Sequence, residues 1–312
     1  MQTAASSTVL RLHDGQRIRH WWRLFGRACA SAYRDNALGT SKAAAYSALL
    51  AFFPLLTSVT AILVQANARA VSAALARMVF QVVPPGTEEI VQYNFMERGA
   101  RPASLLIVAT LLSLWAASGL MMSLMDGFRA AYRIETPRPL VRQRLVAIGL
   151  VFCTALPMVL AAALIVWGAR LERLLLEVLG VIEKGEILTG WVHFAAVMAR
   201  GGVAFGAVVA ATTLLYRIGP NRPNRLREVW PGAVLAASLW TVVTYLFGWY
   251  VRTMGNYNVL YGSVGAAIAL MVWMYLLALV CLVGCEFNAE RERFGSLYRS
   301  GATVQLSYPP EY

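Results

Sequence analysis

The sequence predicts an all-α polytopic membrane protein, a bundle of six transmembrane helices. Hydrophobic residues make up 58 % of the 312 residues and charged residues only 14 %, against about 25 % charged in a typical soluble domain. Mean hydropathy is +0.56, and six apolar stretches reach the roughly 20 residues needed to cross hydrocarbon. These observations exclude a disordered chain, a disulfide-rich secreted scaffold and an ordinary soluble enzyme.

The apolar stretches define the domain organisation. The predicted spans are 43–66, 103–125, 145–169, 190–215, 229–251 and 260–286. No signal peptide is expected ahead of the first span, because the N-terminal region has neither an early apolar core nor a small-residue cleavage site. Residues 43–290 are therefore the predicted transmembrane domain, between an N-terminal segment 1–42 and a tail 291–312.

The basic residues predict the orientation of the bundle. Of the 28 Lys and Arg residues, 19 lie in the segments 1–42, 126–144, 216–228 and 287–312, and 8 lie in the connections on the opposite side. Cytoplasmic connections are the ones enriched in Lys and Arg, so both termini are predicted to be cytoplasmic. The net charge of +12 is then mainly a topology signal, and no nucleic-acid partner is predicted.

Two segments outside the spans are predicted to be helical. Apolar residues in segment 16–33 repeat with helical spacing and form one face beside three arginines. The face consists of Ile18, Trp21, Trp22, Phe25 and Cys29. Such a face suits an interfacial helix near anionic lipid, or a cap on the cytoplasmic end of the bundle, or both. The first outer loop, 67–102, is expected to hold short helices on either side of Pro84-Pro85-Gly86, which serve as a lid, a partner surface or packing.

Arg200 is the candidate binding residue. It lies ten residues after Gly190, about 15 Å along a helix and so near the middle of a core about 30 Å thick. A central Arg costs about 2.5–3.5 kcal/mol and should face protein or a wet cavity. It is interpreted either as an anion or headgroup site or gate, or as a structural residue bonded to helix carbonyls.

Two prolines inside the spans are predicted to kink their helices. Pro54 and Pro157 each remove a backbone hydrogen bond and free the carbonyl four residues earlier, at Leu50 and Cys153. Because these carbonyls are expected at a similar depth, we expect Arg200 to bond one of them.

Two further features concern packing. Glu286 lies at the cytoplasmic end of the last span, where Arg217 or Arg222 is the expected partner. The spacing Gly202-x-x-x-Gly206 permits a close approach of two helices.

Several motifs resemble the YihY/virulence-factor-BrkB family. They are the run Tyr257–Gly265 with Tyr261 and Gly262 inside it, then Trp273, Tyr275, Gly284, Glu286 and Asn288. Further matches are Leu215-Tyr216, Pro220, the run Arg227–Ala233, Trp240, and the first-span residues Ala43–Tyr46 and Phe53–Leu55. The resemblance covers residues 25–290. It implies a bacterial inner-membrane protein with six helices and both termini inside.

The first functional hypothesis is a transporter or lipid-handling permease of the bacterial envelope. Arg200 would contact an anionic group, and Tyr46, Tyr257 and Tyr261 would line the cavity. The expected partners are membrane lipids, anionic ones included, with a homo-oligomer or an envelope protein as further partners. The alternative is a non-transporting envelope scaffold or assembly factor, supported by segment 67–102 and the tail.

Family members were formerly labelled ribonuclease BN, and the residues argue against that activity here. Metal-dependent hydrolysis needs clustered His or carboxylate ligands. The three histidines are His13, His20 and His193, and no motif has metal-ligand spacing. We therefore predict no enzyme activity, no metal and no cofactor.

Overall fold

The computed structural model describes residues 14–65, 103–178, 190–253 and 257–299. Seven helices make up this part of the chain: α1 (Asp14–Arg34), α2 (Ala37–Gln65), α3 (Ala103–Ala131), α4 (Leu140–Val178), α5 (Gly190–Ile218), α6 (Leu226–Thr253) and α7 (Tyr257–Arg299). All except α1 contain a stretch long and apolar enough to cross a membrane. The predicted six-helix membrane bundle is therefore confirmed.

The six long helices form a ring in chain order. Each packs against its sequence neighbours, and α7 closes the ring by packing against α2. α7 also packs against α1 and α3, so it contacts more elements than any other helix among the described residues. The last helix in the chain is thus the element around which the bundle assembles.

The best-packed core lies at one end of the bundle, which we call the base. The base consists of α1, the turn 132–139, the turn 219–225 and the C-terminal part of α7. Arg138 joins the two turns by donating to the carbonyl oxygens of Ile218 and Gly219, at 2.8 and 3.0 Å. The large side chains buried in this core include Phe128, Met125, Leu150, Tyr216 and Leu282.

α1 packs on the base through only part of the predicted face. Leu24 and Ala28 pack against Phe287 of α7, Ser31 on the same side is also buried, and the ring of Trp21 stacks on Phe287 with 5.6 Å between centroids. Trp22, by contrast, is 70 % exposed. The predicted face is therefore divided, with Trp21 toward α7 and Trp22 outward. The interfacial role of that face stays a prediction.

Several helix ends differ from the predicted spans. α7 continues to Arg299, past the predicted end of the transmembrane domain at residue 290, because its polar C-terminal residues pack in the base. α4 runs over 39 residues and extends beyond span 145–169 at both ends. The predicted short helices of segment 67–102 and the tail beyond residue 299 lie outside the described residues.

Two glycines allow α6 and α7 to cross closely. A Cβ added to Gly232 would collide with the carbonyl oxygen of Gly284 and with the Asn288 amide. A Cβ added to Gly284 would lie 2.5 Å from the Tyr216 hydroxyl oxygen and 2.7 Å from the carbonyl oxygen of Gly232. The crossing therefore requires glycine in both helices.

Among the described residues, no other helix approaches Gly202 or Gly206 closely. A Cβ added to either glycine of α5, or to Gly201, would meet nothing within 4 Å. Close helix contact instead occurs at Gly232 and Gly284, which lack that spacing because they belong to two different helices.

Replacing Gly284 with alanine should destabilise the fold. The added methyl group must displace Tyr216 or separate α6 from α7, and such overpacking costs about 1–3 kcal/mol. Thermal unfolding of the detergent-solubilised protein, followed by circular dichroism, measures this as a lower midpoint. Gly149→Ala in α4 is the matched control, because its Cβ would meet nothing within 4 Å. Equal midpoints for the two variants would contradict the close crossing.

Candidate functional site

Motif residues that are distant in the sequence meet in the base. The Tyr216 hydroxyl of α5 donates to the carbonyl oxygen of Cys281 in α7, at 2.5 Å. The Tyr216 ring packs edge-on against Phe128 of α3, with 5.4 Å between ring centroids. Tyr216 is fully buried, so one side chain holds three helices at the level of the glycine crossing.

Asn288 joins α7 to the first turns of α6. Its amide nitrogen donates to the carbonyl oxygen of Val229, and its amide oxygen accepts from the backbone N–H of Gly232, both at 2.8 Å. Pro231, just before Gly232, has no N–H and interrupts the helical hydrogen-bond ladder. The Asn288 side chain adds two hydrogen bonds between α7 and the backbone of α6, on either side of Pro231.

Glu290 forms the main ionic contact of the base. It is 3 % exposed and accepts from Arg27 Nε at 3.3 Å, from Ser31 Oγ at 3.0 Å and from Arg293 Nη1 at 2.6 Å. Arg293 also donates to the carbonyl oxygen of Ala131 at 2.6 Å. Glu290 and Arg293 thus tie α1 and the end of α3 to α7.

Glu286 lies one helical turn before Glu290 and is 2 % exposed. Asp35, between α1 and α2, and Glu286 each lie four residues from the Ser31–Glu290 hydrogen bond, and their carboxyl groups are neighbours. Oε2 of Glu286 and Oδ2 of Asp35 are both buried and face no hydrogen-bond partner among the described residues. Two carboxyl groups therefore meet inside the base.

The expected pairing of Glu286 with Arg222 is wrong. Arg222 pairs with Glu292 at 2.6 Å, and its guanidinium lies 4.8 Å above the ring of Tyr132. The turn 219–225 brings Arg222 to the face of α7 that carries Glu292, whereas Glu286 points toward Asp35. Burial raises the pKa of the Tyr132 phenol, so the ring beneath Arg222 stays neutral.

Arg200 is half-buried in the α4–α5 contact. Its aliphatic stem lies against Gly168, where an added Cβ would be 2.9 Å from Arg200 Cδ. Gly168 follows Cys153 by fifteen residues, about 22 Å along a helix, which exceeds the length of an arginine side chain. The expected bond to the Cys153 carbonyl is therefore wrong. α5 packs on α4 and α6, whereas Leu50 lies on α2.

The three tyrosines predicted to line a cavity with Arg200 lie on other helices. Tyr46 is on α2 and is 61 % exposed. Tyr257 and Tyr261 lie in the first turns of α7, with Gly262, and their side chains are outside the described part of the chain. The substrate-binding role of these residues stays a prediction.

α2 and α4 remain helical through the two prolines that were predicted to kink them. α2 contains Pro54 and α4 contains Pro157. Nearby hydroxyl groups donate to backbone carbonyl oxygens. The Ser58 hydroxyl donates to the carbonyl oxygen of Pro54 at 2.9 Å, and the Thr154 hydroxyl donates to that of Leu150 at 2.7 Å. The kinks themselves stay predictions.

Sequence reasoning missed a second arginine that lies against an apolar helix. Arg144 Nη2 donates to the carbonyl oxygen of Trp115 at 3.0 Å, and Nη1 to the sulfur of Met122 at 3.1 Å. The guanidinium carbon lies 5.1 Å from the centre of the Trp115 ring. All these partners are neutral, and no carboxylate in the described ranges pairs with Arg144.

The contact of Arg144 with Trp115 and Met122 faces the outside of the bundle. Trp115 is 62 % exposed and lies inside the apolar stretch Leu106–Ala131 of α3. The sequence places Arg144 in a loop because it directly precedes span 145–169. The apolar pair Leu140-Val141 ahead of it was the available signal, since α4 begins at Leu140.

The comparisons with known proteins agree with the motif resemblance. The sequence profile of the family described as "Virulence factor BrkB" matches residues 28–303. The chain belongs to this family. No solved structure matches this BrkB-family chain. Across the described residues, no group of three or more His, Cys, Asp or Glu side chains is placed to hold a metal ion.

Relatives of this BrkB-family chain include both membrane proteins and a ribonuclease-like protein. The ribonuclease-like protein YfkH of Bacillus subtilis is 34 % identical over 61 % of this chain and 66 % of its own length. A UPF0761 membrane protein of Alkalilimnicola ehrlichii is 31 % identical over 82 % of this chain and 55 % of its own length. Another UPF0761 membrane protein, from Xanthomonas euvesicatoria, is 29 % identical over 92 % of this chain and 66 % of its own length. The chain therefore spans less than two thirds of these relatives.

Truncating Asn288 to alanine should weaken the base. The change removes both hydrogen bonds from α7 to the backbone of α6, and each such bond contributes about 0.5–1.5 kcal/mol. Unfolding of the purified protein in increasing denaturant gives the loss. Asn221→Ala is the control, because Asn221 is exposed and only accepts from Arg138. A variant as stable as the control would show that the Asn288 bridge is dispensable.

Proposed function

We propose that this BrkB-family protein is a lipid-handling permease of the bacterial inner membrane that binds the anionic phosphate group of a membrane lipid along α4. The observation that carries the proposal is Arg144, a guanidinium whose partners are neutral groups in a groove open to the outside of the bundle. The arginine-rich base faces the cytoplasm in this proposal, as the enrichment of Lys and Arg in cytoplasmic connections favours.

The chemistry of Arg144 favours an anionic lipid headgroup. A guanidinium has five N–H donors, and two of those of Arg144 are used on the Trp115 carbonyl and the Met122 sulfur. An uncompensated charge at membrane level is unfavourable. A phosphate group matches a guanidinium in charge and in hydrogen-bond geometry, so it supplies the missing countercharge.

Arg200 of the neighbouring helix α5 lies against the far end of α4. Its stem lies against Gly168, 24 residues beyond Arg144 and thus about 36 Å along α4, comparable with the thickness of the hydrocarbon core. Between these two points α4 exposes apolar side chains, among them Leu156, Val159 and Leu160. A lipid whose headgroup binds Arg144 can therefore keep its acyl chains against the apolar surface of α4.

Removing the Arg144 guanidinium should weaken lipid binding. Native mass spectrometry of the purified protein, after addition of phosphatidylglycerol, reports the bound fraction. A hydrogen bond to a charged group contributes about 1.5–3 kcal/mol, so Arg144→Ala should lower the affinity about tenfold or more. Arg142→Ala is the matched control, because Arg142 is an exposed residue of the same helix and its removal changes the net charge equally.

The other outcomes separate the competing explanations. Equal losses in Arg144→Ala and Arg142→Ala would indicate non-specific attraction to the basic surface. Displacement of the lipid by inorganic phosphate would indicate a site for a soluble anion. Retention of phosphatidylglycerol by both Arg144→Ala and Arg200→Ala would contradict the proposal. The alternative function, a non-transporting envelope scaffold, would then be favoured. Movement of labelled phosphatidylglycerol across proteoliposomes, slowed by Arg200→Ala, would extend binding to transport.

A further inference from the structure

The base contains more buried negative charge than its arginines neutralise. Three carboxyl groups, those of Asp35, Glu286 and Glu290, lie together where α1 and α2 meet α7. The two ion pairs of this cluster, from Arg27 and Arg293, are both made to Glu290. One negative charge of the Asp35–Glu286 contact is therefore left in excess.

The backbone holds Asp35 over Glu286. Asp35 follows the end of α1, and its N–H donates to the carbonyl oxygen of Ser31 at 2.8 Å. Asn36 has a φ of 57°, a left-handed conformation that Asn adopts more readily than most residues. This residue turns the chain directly into α2 at Ala37. The Asp35 carboxyl group is thus positioned by the α1–α2 turn and cannot move away without rearranging it.

Two ionised carboxylates in this arrangement would be strongly unfavourable. Glu286 is 2 % exposed, and burying an ionised carboxylate without a donor or a countercharge is costly. Two carboxyl groups that share a site resist double ionisation and share a proton. The unpartnered oxygens, Oε2 of Glu286 and Oδ2 of Asp35, are acceptors that one such proton would serve.

We propose that Asp35 and Glu286 together bind one proton at neutral pH and form a proton-binding site between the α1–α2 turn and α7. The proton supplies the donor that the paired oxygens lack and removes the excess charge. A metal ion fits less well, since in the described ranges no three acidic, His or Cys side chains converge on one point.

The neighbouring groups leave the proton on this pair. Besides Asp35, the charged groups that act on Glu286 are Arg293 and Glu290 of α7, and these two pair with each other at 2.6 Å. From α1, Arg27 also binds Glu290. From α3, the Ala131 carbonyl oxygen accepts from Arg293. The described contacts of Arg27 and Arg293 are to Glu290 and the Ala131 carbonyl oxygen, and Arg34, which precedes Asp35, donates to Ser31 Oγ at 3.0 Å.

Loss of the proton would act on the whole base. Two facing negative charges would then separate the α1–α2 turn from α7, and α1 packs on the same stretch of α7 through Leu24 and Ala28. Protonation is therefore coupled to the docking of α1. This inference is independent of lipid binding by Arg144 and Arg200, which lie away from the pair on α4 and α5.

Infrared spectroscopy of the reconstituted protein tests the shared proton. A protonated carboxyl group has a carbonyl stretch that is separate from the carboxylate and amide bands. At neutral pH the wild-type protein should show this band and Glu286→Gln should lose it. Asp35→Asn should lose it too, because a carboxamide at position 35 carries no negative charge and offers an N–H donor to an ionised Glu286. Glu292→Gln is the control and should keep the band, since Glu292 pairs with Arg222.

Other results would overturn the proposal. Absence of the band in the wild-type protein would mean that both carboxyl groups are ionised, with a cation in place of the proton. A band that survives in Asp35→Asn but not in Glu286→Gln would mean that burial alone protonates Glu286, without sharing. Hydrogen–deuterium exchange of residues 24–32 provides the second readout. After correction for the base-catalysed intrinsic exchange rate, protection should fall with rising pH in the wild-type protein and stay constant in Asp35→Asn, and equal responses would contradict the coupling.

Discussion

The rest of the base depends on the backbone contact between Gly232 of α6 and Gly284 of α7. Two helices can approach this closely only where both lack a side chain, because a Cβ on either residue meets the carbonyl oxygen of the other. This approach brings Asn288 within reach of α6 and lets Tyr216 reach the Cys281 carbonyl. Glu286 follows Gly284 by two residues, so the crossing also sets its position. Hydrogen bonds and ion pairs around the crossing are consequences of that distance.

The packing of the molecule differs between its two parts. At the base, buried hydrogen bonds and ion pairs hold α1, α3, α5 and α6 onto α7. Along α4 and α5, apolar side chains are largely exposed, and Arg144 donates to neutral atoms of α3. A rigid end joined to an apolar, cation-bearing surface is compatible with a protein that binds lipid on its side. The base then provides the fixed frame.

Much of the architecture follows from local sequence properties, whereas the partners of individual side chains do not. The six spans were predictable because a membrane helix needs a long apolar run, which is visible without any tertiary information. The face by which α1 packs was predictable only in part, because Trp21 of the aromatic pattern stacks on Phe287 while Leu24 and Ala28, outside that pattern, make the buried contact. Arg144 was overlooked because a charge close to the end of a span reads as part of a loop.

The sequence by itself determined the membrane class, the number of spans, the family and the motif residues, because these depend on composition and on residues close together in the chain. Tertiary structure decided which motif residues meet. It brought Asp35 and Glu286 together, assigned Arg222 to Glu292, and placed Arg200 on Gly168 rather than on a proline-freed carbonyl. The physical reason is that side-chain pairing depends on helix rotation and depth. Both are set by contacts between residues far apart in the chain.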